Sequence, residues 1–146
     1  MLGKLAKWLK ILGFDTLFFS KIEDEKLISL ARKEERIILT RDTGLIQRAK
    51  GVETLFLTND EWQIQVQQVL DHFNLREKVN PHSRCTDCNV ILKNLSKKNA
   101  KNLVSSFVFE HADSFALCPS CGRVFWRGTH FSDMEAKIAE ILDQKH

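Results

Sequence analysis

Four cysteines stand in two matched pairs, Cys85–Cys88 (CTDC) and Cys118–Cys121 (CPSC), separated by 29 residues. Two residues between ligands let one tight turn aim both sulfurs at a single ion. Two such turns supply a tetrahedral zinc site with Zn–S distances of about 2.3 Å. Gly122 directly follows the second pair and suits the left-handed residue that often closes such a turn. The spacing therefore predicts a structural zinc ion, because four protein ligands leave no open position for water.

Two disulfides and a redox CxxC motif are the alternatives to zinc. Lys4, Lys7 and Lys10 interrupt the apolar positions of residues 1–19, which lack the continuous core of a secretory signal. A cytoplasmic location is therefore expected, and reducing compartments keep thiols free. His82 and His111 precede the two pairs and are alternative ligands, although we interpret them as surface histidines.

Three aspartates form a second candidate site, this time for a hard cation. Asp24 begins a predicted helix, whereas Asp42 and Asp60 follow the apolar runs RIILT and ETLFL. The carboxyl ends of parallel strands line one edge of a sheet, where carboxylates suit Mg²⁺ or Mn²⁺. Such a site could hydrolyse a phosphodiester. The alternative is that all three are helix N-caps, a position that Asp favours.

Hydrophobic periodicity and turn residues predict the elements that position these side chains. Thr58 and Glu61 resemble a capping box for one of the helices. Alternation of helices and short apolar strands indicates an α/β domain with a parallel sheet and helices on both faces. The predicted helices cover residues 2–12, 24–35, 43–50 and 58–73, and the predicted strands cover residues 15–19, 36–40 and 53–57.

The second part of the chain has a different character. Residues 76–84 are polar and resemble a linker, and residues 85–130 are rich in turns, with two expected hairpin arms at 106–110 and 123–127. Ser132 and Glu135 offer a capping box for a terminal helix. We therefore expect an α/β domain over residues 1–80, a zinc ribbon over 81–131 and a C-terminal helix over 132–146.

Composition and charge restrict the function only loosely. The chain is 43% hydrophobic, and no apolar run approaches the roughly 20 residues that span a bilayer, so no membrane association is expected. Residues 1–50 hold eleven Lys/Arg against seven Asp/Glu, although the whole chain carries only +3. Clustered positive charge favours a polyanion such as nucleic acid, and a solvated surface is the equal alternative.

An aromatic and basic segment, Phe125 to His130, closes the turn-rich part. Trp126 and Arg127 are of the types that stack on and neutralise single-stranded RNA. The alternative is that one aromatic packs the ribbon onto the α/β domain.

The segments LGKLAKWLKILGFDT, EDEKLISLARKEERIILTRD and CPSCGRVFWRGTH resemble the Mut7-C RNase domain family, which is similar to PIN-domain nucleases and carries a zinc ribbon. The resemblance implies a PIN-like three-layer α/β/α fold that cleaves RNA with Mg²⁺ or Mn²⁺. Asp24 and Asp42 match the acidic motifs of the family, and Asp60 falls in a region that is often acidic. Basic positions that approach phosphates match Lys4, Arg41 and Arg127, and the ribbon ligands match Cys85, Cys88, Cys118 and Cys121.

One departure from the family concerns the first strand. Members begin with an apolar strand ending in an aspartate, directly before the LGKLA helix, and here Met1 stands at that point. We expect this strand to be missing through truncation or loss, which would leave too few carboxylates for two ions. Leu2, Leu5 and Leu9 would then be exposed and favour a homodimer or a protein partner. The alternative functions are a non-catalytic zinc-ribbon module that binds RNA or protein, and a scaffold without RNA contact.

Overall fold

The computed structural model describes residues 2–126 and 131–143. Within those ranges the chain forms seven α-helices, one 3₁₀ turn (Arg76–Lys78) and five short strands. In chain order they are α1 (Gly3–Ile11), α2 (Asp24–Glu34), β1 (Ile38–Thr40), α3 (Thr43–Arg48), β2 (Thr54–Phe56), α4 (Trp62–His72), β3 (Lys93–Leu95), α5 (Lys97–Ala100), α6 (Ser106–His111), β4 (Phe115–Leu117), β5 (Val124–Trp126) and α7 (Phe131–Asp143).

A two-stranded parallel sheet occupies the first part of the chain, with β1 paired to β2 and Leu39 opposite Leu55. Successive residues of a strand face opposite sides of its sheet. Leu39 and Leu55 accordingly pack with α1 and α4, whereas Ile38 packs with α2 and α3. The prediction of a parallel sheet with helices on both faces is confirmed for these two strands.

The larger hydrophobic core joins α1, β2 and α4 to α7. Trp8 of α1 and Trp62 of α4 stack with ring centroids 4.8 Å apart, and Ile138 and Ile141 bring α7 into the same cluster. Leu5 and Leu9, which the missing strand was expected to expose, are buried here, so that expectation is wrong. Leu2, the third residue of that expectation, is partly buried.

The four-cysteine part, which we call the cysteine module (residues 81–126), holds a separate antiparallel sheet in the order β3-β4-β5. Its small core combines Ala100, Ala112 and Phe115 with partly buried apolar neighbours. Few apolar side chains are buried in the module, which suits a unit that depends on a metal ion.

The predicted strand at residues 15–19 is wrong. The segment is irregular, and the side chains of Leu17, Phe18 and Phe19 are 40–44% exposed. The backbone N–H of Thr16 donates to Asn89 Oδ1 at 2.9 Å. The apolar run therefore finds its hydrogen-bond partner in the side chain of a distant turn, which the local pattern cannot indicate.

The predicted hairpin arm at residues 106–110 is also wrong, because these residues form α6. Ser105 starts the helix by accepting a hydrogen bond from the N–H of Val108, and this cap outweighs the β propensity of Phe107 to Phe109. The arm predicted at 123–127 is confirmed over Val124–Trp126, which form β5 and pair with β4, and residue 127 lies outside the described residues.

The capping box at Thr58 and Glu61 is wrong as well. Helix α4 begins at Trp62, with Glu61 at the N-cap position and no side-chain cap bond. Thr58 instead donates its N–H to Gln68 Oε1, and Asn59 Oδ1 accepts from the N–H of Glu61. The predicted terminal helix is confirmed as α7, but it starts at Phe131, so Ser132 lies inside the helix and the capping box predicted at Ser132 and Glu135 is wrong.

The polar segment at residues 76–84 is packed against the end of α1 and does not resemble a free linker. The N–H groups of Asn80 and His82 donate to the carbonyls of Leu12 and Ile11 at 2.8 and 2.9 Å. A Cβ atom on Gly13 would lie 2.4 Å from the Asn80 carbonyl oxygen, so only glycine allows this approach.

Candidate metal centre and acidic edge

The two cysteine pairs lie in turns of the same design. In the first turn the N–H of Asn89 donates to Cys85 O, and in the second the N–H of Gly122 donates to Cys118 O. Asn89 and Gly122 both adopt left-handed backbone conformations, with φ of 62° and 76°. The conformation predicted for Gly122 is confirmed, and Asn is the residue that tolerates it best after glycine.

Backbone N–H groups inside the turns point at the sulfurs. The N–H of Cys88 donates to Cys85 Sγ at 3.4 Å, and the N–H of Cys121 donates to Cys118 Sγ at 3.5 Å. Such bonds favour the thiolate form, which is the form that binds metal.

The four sulfurs converge. All four Sγ atoms lie within 4.8 Å of one another, and Cys85 Sγ is 3.9 Å from Cys121 Sγ. Sulfurs about 2.3 Å from a central zinc are about 3.8 Å apart in a regular tetrahedron. The cluster therefore has the size and donor set that fit a zinc ion. The cysteines are free thiols, so the two disulfides considered as an alternative are not formed.

The ionisation of the cluster is uneven. The backbone N–H of Cys121 chiefly lowers the pKa of Cys118 to about 7. The hydrogen bond with the Cys121 sulfur chiefly raises the pKa of Cys88 to about 12, and desolvation adds to it. Sulfurs this close cannot all carry negative charge unless a cation neutralises them. A divalent metal resolves this conflict, because coordination deprotonates a thiol outright.

The first cysteine turn is attached to the α/β part through Asn89. Its amide donates to Asp15 Oδ1 at 2.7 Å, and Arg36 Nη1 donates to the same oxygen at 2.9 Å. Arg84 adds a bond to the Gly13 carbonyl at 3.0 Å. Desolvation would raise the pKa of Asp15, but the hydrogen bonds from Arg36 and Asn89 outweigh it and lower that pKa. We call Asp15, Arg36 and Asn89 the clasp.

Asp42 lies two residues after the end of β1 and caps α3. Its Oδ1 accepts from the N–H groups of Gly44 and Leu45 at 2.9 and 3.3 Å. The capping interpretation is therefore correct for this residue, and it does not conflict with metal binding. Both bonds go to Oδ1, so Oδ2 can face an ion at the carboxyl end of the strand.

Asp24 begins α2 and forms an ion pair with Arg48, the last residue of α3. Arg48 also approaches the first turn of its own helix. A Cβ atom on Gly44 would lie 3.5 Å from Arg48 Nη1 and 3.2 Å from Asp42 Oδ1. The guanidinium thus extends between the two aspartates. No local sequence pattern indicates this role of Arg48, because it depends on how α2 and α3 pack.

Asp60 lies further along, exposed, in the loop between β2 and α4. We call Asp24, Asp42 and Asp60 the acidic edge. In residues 2–126 and 131–143, the four cysteines are the one group of three or more candidate ligands close enough to share an ion. As expected, Asp24 begins a helix and Asp42 and Asp60 each follow a strand. The three aspartates do not converge as the cysteines do.

The predicted nucleic-acid residues are spread over both parts of the chain. Lys4 is exposed on α1, and Arg41 is exposed between β1 and Asp42. Trp126 ends β5 and is 45% exposed. Arg127 lies outside the described residues.

A large apolar cavity of about 610 Å³ borders the free edge of β1. The N–H of Ile38 and the carbonyl of Thr40 both bond towards β2 and its flanking residues. In a parallel ladder the residue between them, Leu39, turns its backbone groups to the opposite edge. Further apolar side chains from α1, α2 and the irregular segment line the cavity: Leu2, Leu5, Leu17, Phe18, Ile22 and Leu27.

Comparison with known proteins identifies one family. A model described as the Mut7-C RNAse domain matches residues 1–138. No curated protein and no solved structure matches the chain. In the part of the chain that the structure describes, no helix has the length and apolar character needed to cross a bilayer.

Proposed function

The chain belongs to the Mut7-C RNase domain family, and we propose that it is a metal-dependent ribonuclease that hydrolyses RNA phosphodiester bonds. The family match over residues 1–138 carries this proposal, and Asp24 and Asp42 on either side of Arg48 support it. Asp24, Asp42 and Asp60 are the ligands we assign to Mg²⁺ or Mn²⁺.

The chain's own residues divide the work at the acidic edge. Asp42 offers Oδ2 while its Oδ1 stays fixed by two backbone N–H groups, so the ligand is held in one orientation. Asp24 offers a second carboxylate from the start of α2. A divalent ion held by these carboxylates would supply activation of water and stabilisation of the leaving oxygen. Arg41 and Lys4 supply positive charge for the RNA backbone.

We assign a structural zinc ion to the cysteine cluster. Support comes from the sulfur separations, which suit a tetrahedron, and from backbone N–H donors to Cys85 and Cys118. Zinc there would fix the ribbon, so that Trp126 and Arg127 could contact RNA. Elemental analysis of protein purified under reducing conditions tests this, and one zinc per chain is expected.

We further infer that the PIN-like sheet takes one more parallel strand in the cavity beside β1. The free backbone edge at Leu39, the apolar walls and the volume of about 610 Å³ support this. An apolar strand ending in aspartate would bring another carboxylate to the acidic edge. A chain extended before Met1 by such a strand is expected to cut RNA faster than residues 1–146.

The experiment that tests the nuclease proposal uses a labelled single-stranded RNA with Mn²⁺. Asp42→Asn is expected to abolish cleavage while keeping the helix cap, because Asn caps helices as well as Asp. Asp113→Asn, an exposed acid in the cysteine module, is the matched control and should cut normally. Equal cutting by the wild type and Asp42→Asn would refute the proposal.

A second candidate function is a non-catalytic module that binds RNA or protein. One observation favours it: in the described residues, no group of three carboxylates lies close enough to share an ion. This alternative predicts salt-dependent RNA binding without turnover, unchanged or tightened by Asp42→Asn. Binding measured at two salt concentrations separates an RNA-binding module from a scaffold without RNA contact, since phosphate contacts weaken steeply with salt.

A further inference from the structure

A second cavity, of about 410 Å³, runs along β5 on the cysteine module. Among the described residues, its lining comprises Leu103, Arg123, Val124, Phe125 and Trp126. We call it the Trp126 groove. These lining residues are distant in sequence from the acidic edge, and none of them is a candidate metal ligand.

The groove exposes two large apolar side chains at its rim. Leu103 is 56% exposed and Trp126 is 45% exposed, although Trp126 stands directly opposite the buried Phe115 in the sheet. A tryptophan this exposed beside a well-packed neighbour presents a flat ring at low conformational cost, because the strand already fixes its backbone.

The cation in the groove is held in place. Arg123 pairs with Asp87 at 2.8 Å, and its guanidinium lies over the Phe125 ring, 5.0 Å from the centroid. The surrounding module holds six Lys/Arg against three Asp/Glu over residues 81–126, and Lys101 lies two residues from Leu103. The groove therefore joins an aromatic surface to net positive charge.

We propose that the Trp126 groove binds one unpaired base of single-stranded RNA, with the base on Trp126 and its phosphate towards Arg123. The proposal rests on the proposed ribonuclease function and gives its substrate class: unpaired rather than duplex RNA. A flat ring next to a fixed guanidinium is complementary to a base and its phosphate, both of which a duplex keeps out of reach. An apolar peptide would use the ring but would gain nothing from the net positive charge of the surrounding module.

The test measures binding of a labelled ten-nucleotide RNA by fluorescence anisotropy, on zinc-loaded protein without Mg²⁺ or Mn²⁺. Trp126→Ala is expected to weaken binding about tenfold, whereas Trp126→Phe keeps a stacking ring and most of the affinity. Arg123→Gln should reduce the slope of log K against log salt by about one. Phe107→Ala is the control, since Phe107 is 60% exposed but stacks on His111 outside the groove.

Three results would overturn the proposal: wild-type affinity in Trp126→Ala, an equal loss in Phe107→Ala, or equal affinity for duplex and single strand. Zinc content is measured for each variant. If Trp126→Ala loses zinc, RNA binding is measured instead with Leu103→Ala, which truncates the other exposed apolar side chain of the groove, and wild-type affinity in that variant would overturn the proposal. Binding is measured without the catalytic metal. A chain that binds single strands and never cuts them therefore refutes the nuclease function alone.

Discussion

The cysteine cluster and the acidic edge are both groups of candidate ligands, but they are held very differently. The cysteines lie in two hydrogen-bonded turns that aim sulfurs from a short distance at one point. The aspartates come from two loops and a helix start, and one of them is already paired with Arg48. Each cysteine pair is brought together locally by its own turn, so only the two turns have to meet, whereas the position of every aspartate depends on how sheet and helices pack.

The difference teaches how each site responds to its ion. The four thiols lie close together only when the module is folded, and there they need a cation to neutralise them, so metal binding and folding of the module are one event. Ligands that are solvated or paired with an internal cation must exchange partners, so the ion binds an already folded domain. Removal of zinc from the cysteine cluster should therefore lower the stability of the chain, whereas removal of the ion at the acidic edge should lower its activity.

The largest expected effect is that of Cys118→Ser. Loss of one buried sulfur should release zinc and unfold the cysteine module, since structural zinc supplies roughly 10 kcal/mol of folding free energy. Zinc content and amide hydrogen exchange over residues 81–126 measure this. Ser120→Ala, in the same turn without a ligand atom, should retain the metal. A fold indifferent to both the substitution and a chelator would remove the contrast between the two sites.

The next effect concerns the internal cation of the acidic edge. Arg48→Gln removes a positive charge beside Asp24, so affinity for Mn²⁺ should rise about tenfold. Titration of zinc-loaded protein with Mn²⁺, followed by electron paramagnetic resonance, measures the change. Arg32→Gln is the matched control and should leave the affinity unchanged. It also removes a positive charge from α2, but two turns away from Asp24, where Arg32 donates to the Lys50 carbonyl. Unchanged affinity in Arg48→Gln would mean that the ion does not bind at Asp24.

A smaller effect separates capping from catalysis at Asp42. Asp42→Ala removes the acceptor for the N–H groups of Gly44 and Leu45 and should lower the free energy of unfolding by about 1 kcal/mol. Asp42→Asn should cost far less, while both substitutions stop cleavage. Urea denaturation of the two variants measures the difference, and equal stabilities would contradict the capping role.

The smallest effect is a pH dependence at the clasp. The pKa of Asp15 is lowered in the folded chain, so its stabilisation is present above the ordinary Asp range and is lost as the pH falls through the lowered value. Because the side chain is about half exposed, we expect less than about 1 kcal/mol. Stability of the wild type and Asp15→Asn between pH 2 and about 6 measures this, and parallel curves would contradict it.

Local sequence signals predicted the elements that local forces determine. Cys85 lies near Cys88, and Cys118 near Cys121, because a two-residue spacing specifies a turn. Helices α1 and α2 likewise follow their helical periodicity. The misassigned segments depended on distant partners. Residues 15–19 bond to Asn89, 73 positions away in the case of Thr16, and the partner of Asp24 is set by packing between α2 and α3.

The role of Asn89 could have been predicted by aligning the two cysteine turns. Gly122 follows CPSC and Asn89 follows CTDC, so both occupy the left-handed position. What no alignment of the turns gives is the second use of Asn89, whose side chain reaches Asp15. Asn89 thus provides the left-handed backbone conformation of the first turn and also links the cysteine module to the α/β part.

The return of α7 to the main core has a consequence for chain entropy. Ile138 and Ile141 pack with α1 and α4, and His82 pairs with Glu135 at 3.0 Å, so the cysteine module is an insertion inside one hydrophobic unit. While the cysteine module is folded, it holds its two ends together, so docking of α7 costs little additional conformational entropy. Once disordered, it becomes a long flexible loop whose closure opposes docking of α7. Loss of zinc should therefore loosen a helix that supplies none of the four sulfurs.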